Sequence, residues 1–150
     1  MKKAPAFTLP DETGRKVKLS DFSGKKVALY FYPKDDTPTC TNQACNLRDN
    51  YKLLQKQGYT ILGISCDAPE RHAKFKAKYK LPFTLLADED HKVQEKYGVW
   101  QEKQLYGRKY MGTVRTTFLI DEKGRIASVI DKVKAADHAA QIIAAGAGEE

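Results

Sequence analysis

Two uninterrupted apolar runs, Val27–Tyr32 and Tyr59–Ile64, constrain this chain more than any other feature. A strand with one face in water alternates apolar and polar residues, whereas a strand that is apolar throughout is covered on both faces. Between the runs, Ala44, Leu47, Tyr51 and Leu54 recur at three- and four-residue steps, the period of a helix with one buried stripe, and Gly58 supplies a C-terminal stop. Strand, helix and strand in that order form a βαβ unit, and its strands are parallel. Cys40 falls on the same buried stripe.

The remaining elements fit around that unit. Phe7–Leu9 and Lys16–Leu19 flank the turn signal Asp11–Gly14 and predict an N-terminal β-hairpin. A second helix is expected from Pro69 to about Lys80, with Asp67 and Glu70 as a capping pair and Leu81-Pro82 ending it. Phe83–Leu86 reads as a short strand and Asp88–Tyr97, closed by Gly98, as a short helix. Thr116–Ile120 and Arg125–Ile130, joined through Asp121–Gly124, read as an antiparallel hairpin. Asp137 is placed to cap a final Ala-rich helix, and the tail after Ala144 reads as loose. The expectation is an α/β fold, with a mixed central sheet flanked by helices on both faces and an N-terminal β-hairpin. With 150 residues, no composition shift and no repeat, residues 1–150 read as a single domain.

Lys+Arg 26 against Asp+Glu 19 gives a net charge of +7, but the basic residues are interleaved with acids, as in Lys34-Asp35-Asp36 and Asp121-Glu122-Lys123. No continuous phosphate-binding stripe results, so the charge reads as a solvated surface with no nucleic-acid partner. Met1–Phe7 is too short and interrupted for a secretion signal, and no later stretch is apolar enough to span a bilayer. The expected location is cytoplasmic, with no membrane partner. Three cysteines in a chain this size read as redox chemistry rather than as a disulfide framework.

Cys40 ends the run Pro33-Lys-Asp-Asp-Thr37-Pro38-Thr39-Cys40, where a strand gives way to a helix. A helix N-terminus presents unpaired N–H groups and partial positive charge, which favour a thiolate over a thiol. Pro33 and Pro38 stiffen this loop, and Pro33 ends the strand where its missing N–H does least harm. Thr37 and Thr39 offer hydroxyls either to the sulfur, or something bound against it, or to helix capping. A cysteine hydrolase would need a histidine base, yet His72, His91 and His138 fall in or beside segments that read as surface helices. Arg115, opening the run Arg115–Ile120, is either a solvated edge residue or a fixed cation whose rigid fork favours the Cys40 thiolate and orients an oxygen-rich substrate.

In an intact helix, residues five apart are turned about 140° from one another and lie about 8.7 Å apart at Cα, beyond disulfide reach. Cys45 therefore faces away from the stripe that carries Cys40, and pairing them requires the first helical turns to open. Asn42, Asn46 and Asn50 lower the helix propensity at roughly one-turn intervals, so that opening is comparatively cheap. Cys45 is either a second redox sulfur or an idle thiol. Cys66, at the end of the second apolar run, reads as a packed structural thiol.

Pro33-x-x-x-Thr37-x-x-Cys40 together with Arg115 resembles the active site of the peroxiredoxins, thiol peroxidases of thioredoxin-like fold. Ala4-Pro-x-Phe7, Tyr30–Pro33, Gln43-Ala-Cys45-x-Leu-Arg48-Asp49, Leu62–Ser65, Phe83-x-Leu-Leu86-x-Asp88, Tyr97–Trp100 and Thr117–Asp121 resemble the Q-type, or bacterioferritin-comigratory, branch. The resemblance covers roughly Ala4 to Lys134. It implies Cys40 as the peroxidatic cysteine and Cys45 as the resolving one, joined in an intramolecular disulfide. It further implies Thr37 and Arg115 as the groups aligning a hydroperoxide, Pro33 as a shield, thioredoxin or a similar dithiol as reductant, and a monomer. The chemistry needs no metal or organic cofactor. Thr39 and Gln101 stand where the branch usually has glycines, and Arg48 is either a second cation near the site or a surface partner of Asp49.

Three other readings compete. A thioredoxin-type dithiol oxidoreductase calls for Cys-x-x-Cys and a nearby proline, and four residues separate Cys40 from Cys45 with no proline near Arg115. A non-enzymatic redox sensor or chaperone would share the disulfide switch and differ only in turnover. A zinc site from Cys40, Cys45 and one histidine lacks the paired ligand spacing of structural zinc motifs.

Overall fold

Residues 2–147 are described in the computed structural model of the chain. In chain order the elements are β1 (Lys2–Lys3), β2 (Thr8–Pro10), β3 (Lys16–Lys18), β4 (Lys26–Phe31), α1 (Pro38–Asp49), α2 (Tyr51–Lys56), β5 (Tyr59–Ser65) and α3 (Pro69–Tyr79). Then follow β6 (Thr84–Ala87), α4 (Lys92–Lys96), β7 (Trp100–Leu105), β8 (Arg108–Thr113), β9 (Thr116–Ile120), β10 (Arg125–Ile130) and α5 (His138–Ala147). Short 3-10 turns occupy Leu19–Phe22 and Ala135–Asp137.

The expected βαβ unit is present. β4 pairs in parallel with β5, and β5 with β6, while β9 lies antiparallel on the other side of β4, followed by β10 and β1. The result is a six-stranded mixed sheet with β4 inside it. Alternate residues of β4 feed two separate cores. Ala28 and Tyr30, with Tyr32 just beyond the strand, meet Cys40, Ala44 and Leu47 of α1, Leu54 of α2, Phe75 of α3 and Ile142 of α5. Val27, Leu29 and Phe31 meet Phe7 and Leu9 of the N-terminal segment, Val93 of α4, and Tyr97 and Val99 beyond it. Burial on both faces is the reason the strand reads as continuously apolar. No helix among the described residues is long and apolar enough to cross a membrane.

β2 and β3 form the expected N-terminal hairpin, and β9 and β10 the expected second one. Other expectations are corrected. The helix after β4 breaks at Asn50, which separates α1 from α2. Asp67 does not cap α3: the N-cap is Ala68, and the Asp67 carboxylate binds Ser65, Arg71 and the Asp35 N–H. The short helix expected from Asp88 begins only at Lys92, because Asp88 folds back to accept the N–H groups of Val93 and Gln94. Asp137 stands in the 3-10 turn that runs directly into α5, and the acceptor for the Ala139 N–H is Asn46 Oδ1 of α1 at 2.8 Å. The helix continues past Ala144 to Ala147; residues 148–150 of the expected loose tail lie outside the described residues.

β7 and β8 form a two-stranded ribbon that the sequence pattern does not announce. Its side chains are largely exposed on both faces, so no apolar alternation marks it. Its turn is Tyr106-Gly107, both at positive φ (50 and 78), a combination that suits the right-handed twist of a tight hairpin.

Gly63, in the middle of β5, is required by packing rather than by a turn. A Cβ there would stand 2.9 Å from the ring and hydroxyl of Tyr30 and 3.0 Å from Leu85. Gly63→Ala is expected to destabilise the protein by about 1–3 kcal/mol through overpacking, read from the midpoint of urea unfolding at unchanged m-value.

Candidate active site

Cys40 is the third residue of α1, behind Pro38 at the first position and Thr37 at the cap. The first-turn N–H groups of a helix lack intrahelical acceptors, so Thr39 and Cys40 present theirs at the sulfur-bearing end. The side chain packs on the stripe with Ala44 and Leu47 and is 2% exposed. Arg115 reaches this point because β9 runs antiparallel beside β4 with Thr116 opposite Phe31, which sets Arg115 at the end of β4 where the loop to α1 begins. Its Nη2 donates to Cys40 Sγ at 3.2 Å and its Nη1 to Gln43 Oε1 at 2.6 Å. Of the two readings of Arg115, the structure therefore has the cation beside the sulfur.

Gln43 enters the sequence reading only within the motif Gln43-Ala-Cys45-x-Leu-Arg48-Asp49, with no role of its own. It stands one turn from Cys40 on the same face, fully buried, and its Nε2 has no hydrogen-bond partner among the described residues. The i, i+3 spacing from Cys40 was the available signal. Tyr30 Oη is likewise buried without a partner there. Burial, reinforced by the negative charge of Asp35 and of Cys40, pushes its phenol well above the usual range and keeps it protonated. Lys103 of β7 is held below the usual lysine range by burial and then by the charge of Arg115, so the ribbon lies within electrostatic reach of the site.

Thr37 occupies the N-cap position but its hydroxyl does not cap; it donates to Lys34 O at 2.9 Å within the loop. Thr39 is exposed in the first turn, and Pro33 is half-buried at the end of β4. Cys45 is half-buried on the same helix as Cys40, and all three cysteines are free thiols. Arg48 is no second cation here: it pairs with Asp49 at 2.9 Å and donates to Tyr79 O at 2.8 Å. Cys66 accepts from Gln94 Nε2 at 3.2 Å, as suits a packed structural thiol.

The histidines overturn the expectation of surface residues in two cases. His72 and His138 are fully buried. His138 bonds Thr117 at 2.7 Å and Gln141 at 3.0 Å, and burial holds its pKa below the usual value. His72 bonds Asp35 at 2.5 Å and Leu86 O at 3.0 Å. The spacing of His72, Phe75 and Tyr79 along α3 carried that information, since all three fall on one helical face. His91 is part-exposed and stacks on Trp100 with ring centroids 4.0 Å apart. Asp35, Asp67 and His72 bring three possible metal-ligating atoms within 4.8 Å of one another. The two carboxylates already have partners: Asp67 meets the Arg71 guanidinium at 3.0 Å and Asp35 faces His72 Nδ1 at 2.5 Å.

A buried sulfur at a helix N-terminus, in contact with a guanidinium and set on a mixed sheet of this topology, defines a thiol-dependent oxidoreductase of thioredoxin-like fold. The chain belongs to the AhpC/TSA family, whose sequence profile matches residues 1–129. Within it the chain falls in the peroxiredoxin Q, or Bcp, branch, and it is a thiol peroxidase. It is 55% identical over 141 residues to a putative peroxiredoxin Bcp of Coxiella burnetii, covering 94% of this chain and 93% of that one. It is 53% identical over 135 residues to peroxiredoxin Bcp of Escherichia coli K12, covering 90% and 86%. A solved structure of the Xanthomonas campestris bacterioferritin comigratory protein, described for its alkyl peroxide reduction activity, superposes with a TM-score of 0.88 at 33% identity over 95% of this chain and 90% of that one. Membership of the family implies a peroxide substrate and a thiol reductant.

Burial, with Asp88 and Asp67 nearby, pushes the Cys66 thiol up to about 11. At pH 8 about one Cys66 in a thousand is then a thiolate. Mass-spectrometric mapping of iodoacetamide labelling at pH 8 is expected to find Cys66 modified more slowly than Cys45, at a rate that still climbs about tenfold per pH unit toward pH 10.

Proposed function

We propose that Cys40 is the peroxidatic cysteine and that the protein reduces hydrogen peroxide and organic hydroperoxides through it. The observation that carries the reading is the 3.2 Å contact between Arg115 Nη2 and Cys40 Sγ. A fixed guanidinium at that distance leaves N–H donors to hold a peroxide against the sulfur. The Cys40 sulfur attacks one oxygen in line; the S–O bond forms, the O–O bond breaks, and the other oxygen leaves with a proton as water or alcohol. Arg115 and the first-turn N–H groups stabilise charge on the departing oxygen. Gln43 Nε2, a buried donor without a protein acceptor among the described residues, supports the same role. Thr37 orients the peroxide once its hydroxyl turns from Lys34 O, and Pro33 keeps water from the sulfur.

The resulting Cys40 sulfenic acid condenses with the Cys45 thiol, releasing water and forming an intramolecular disulfide. The first turns of α1 open for this step, and the opening is bounded by Asn46, whose side chain ties α1 to the Ala136 carbonyl and the Ala139 N–H. Thioredoxin or a similar dithiol restores both thiols by exchange. In this reading the chain works as one domain and as a cytoplasmic monomer, with no metal, nucleic-acid or membrane partner. The interleaving of its basic and acidic residues supports the absence of a nucleic-acid surface.

Mixing the reduced protein with limiting hydrogen peroxide is expected to remove two thiols without adding oxygen mass. Cys45→Ser is expected to accumulate a species heavier by one oxygen at Cys40. Peroxide consumption that survives Cys40→Ser overturns the assignment. Arg115→Lys is expected to slow Cys40 oxidation, followed by rapid quench and mass spectrometry, by on the order of 100-fold, because a point charge cannot reproduce the two-pronged donor.

A further inference from the structure

Asp35 lies five residues before Cys40, in the loop that carries Thr37 and delivers the chain into α1. All four of its polar groups are bonded. Its N–H donates to Asp67 Oδ2 at 2.8 Å, and its carbonyl accepts from Arg71 Nη2 at 2.9 Å. Its Oδ1 accepts from Tyr32 Oη at 2.5 Å, and its Oδ2 faces His72 Nδ1 at 2.5 Å. Three of those partners, Asp67, Arg71 and His72, come from α3 and the turn before it. Asp36, in the left-handed region at φ 59, is held to the same helix by Lys78 Nζ at 2.9 Å and Tyr79 Oη at 3.0 Å. Asp35 and His72 are both fully buried.

Charged groups are rarely taken wholly out of water for packing alone, since a hydrophobic pair of similar shape does that at least as well. What a buried carboxylate–imidazole pair supplies is a single geometry. His72 Nε2 faces the Leu86 carbonyl, which only accepts, so that nitrogen carries a hydrogen. His72 thus spans from β6 to the loop, fixed at one end by the sheet and at the other by Asp35. We propose that His72, acting through Asp35, is a positioning residue that fixes the Pro33–Thr37 loop and hence the alignment of peroxide at Cys40. The proposal rests on the peroxidase reading above.

Alignment and thiolate formation are separable. Peroxide needs a loop that holds both oxygens in line, whereas an alkylating agent needs only the thiolate. Two substitutions each keep one end of the bridge. Asn in place of His72 puts its amide nitrogen near the Nδ1 position and offers a donor to the Asp35 carboxylate; Gln puts its nitrogen near the Nε2 position and retains the donor to Leu86.

The experiment measures, for the full-length reduced protein, the rates of Cys40 oxidation by hydrogen peroxide and of Cys40 alkylation by iodoacetamide, with thermal unfolding recorded alongside. His72→Asn is expected to keep the peroxide rate within threefold of the unsubstituted protein and His72→Gln to lose tenfold or more, while alkylation stays within twofold in both. Equal peroxide rates in the two variants, or losses that appear equally in alkylation, overturn the proposal. Should either variant fail to fold, the same comparison is made from the loop side. Asp35→Asn, which can still bond Tyr32 and His72, is expected to retain the peroxide rate and Asp35→Ala to lose it, and equality of these two overturns the proposal. Cys40 of the unsubstituted protein reacting no faster with peroxide than free cysteine overturns the peroxidase reading itself, and so is distinguished from failure of the positioning role alone.

Discussion

The register of β9 against β4 is the constraint on which the site depends. Thr116 opposite Phe31 carries Arg115 to the end of β4 on the side where α1 starts. Successive residues of a strand point to opposite faces, so a slip of one residue would turn Arg115 toward the N-terminal hairpin and leave Cys40 without a cation. That register is held by burial on both sides. Phe118 and Ile120 of β9 enter one core and Leu119 the other, so no slipped pairing keeps both filled. The contact between Arg115 and Cys40 therefore draws its geometry from strands buried on both faces.

α1 answers to two opposed requirements. Cys40, Ala44 and Leu47 pack it onto the sheet, while disulfide formation in the proposed cycle requires its first turns to come away. The sequence reconciles these by uneven anchoring. The first turn offers Thr39 to solvent and makes no side-chain cap bond, whereas Asn46 spends both ends of its amide on the segment leading into α5. Asn46 is a poor helix former judged locally and a strong tie judged in the fold. Asn46 thereby confines the opening that the proposed cycle needs to the turns that bear Cys40 and Cys45.

Buried polar groups recur where loops must be held. Asp88 accepts two N–H groups at the start of α4, Thr117 and Gln141 share His138, and Asp35 binds Tyr32, His72, Asp67 and Arg71. Each group is costly to bury unpaired and modestly favourable once paired, so such networks specify one arrangement more than they add stability. The loop before Cys40 is the segment with most to lose from alternative arrangements, and it carries the densest of them.

The local pattern was enough to find the elements packed on the sheet. Continuous apolar runs gave β4 and β5, helical spacing gave the stripe from Cys40 to Leu54, and turn residues gave both hairpins, because each signal arises from a period within one segment. Cys40 was legible for the same reason, since strand end, proline turn and helix start are adjacent in sequence. What the pattern missed depends on distant neighbours. The β7–β8 ribbon is exposed on both faces and has no period to detect. His72 looked like a surface residue until Asp35 and Leu86, far from it along the chain, closed around it. Asp67 had the spacing of a cap and was drawn instead to Arg71 and the Asp35 amide. A periodic signal reports which side of an element is covered, and so the sequence by itself determined the strands and helices packed on the central sheet and the place of Cys40 where a strand gives way to a helix. The identity of the covering group is a long-range property, and so only the tertiary structure decided that Arg115 and Gln43 stand at Cys40 and that His72 holds the loop before it.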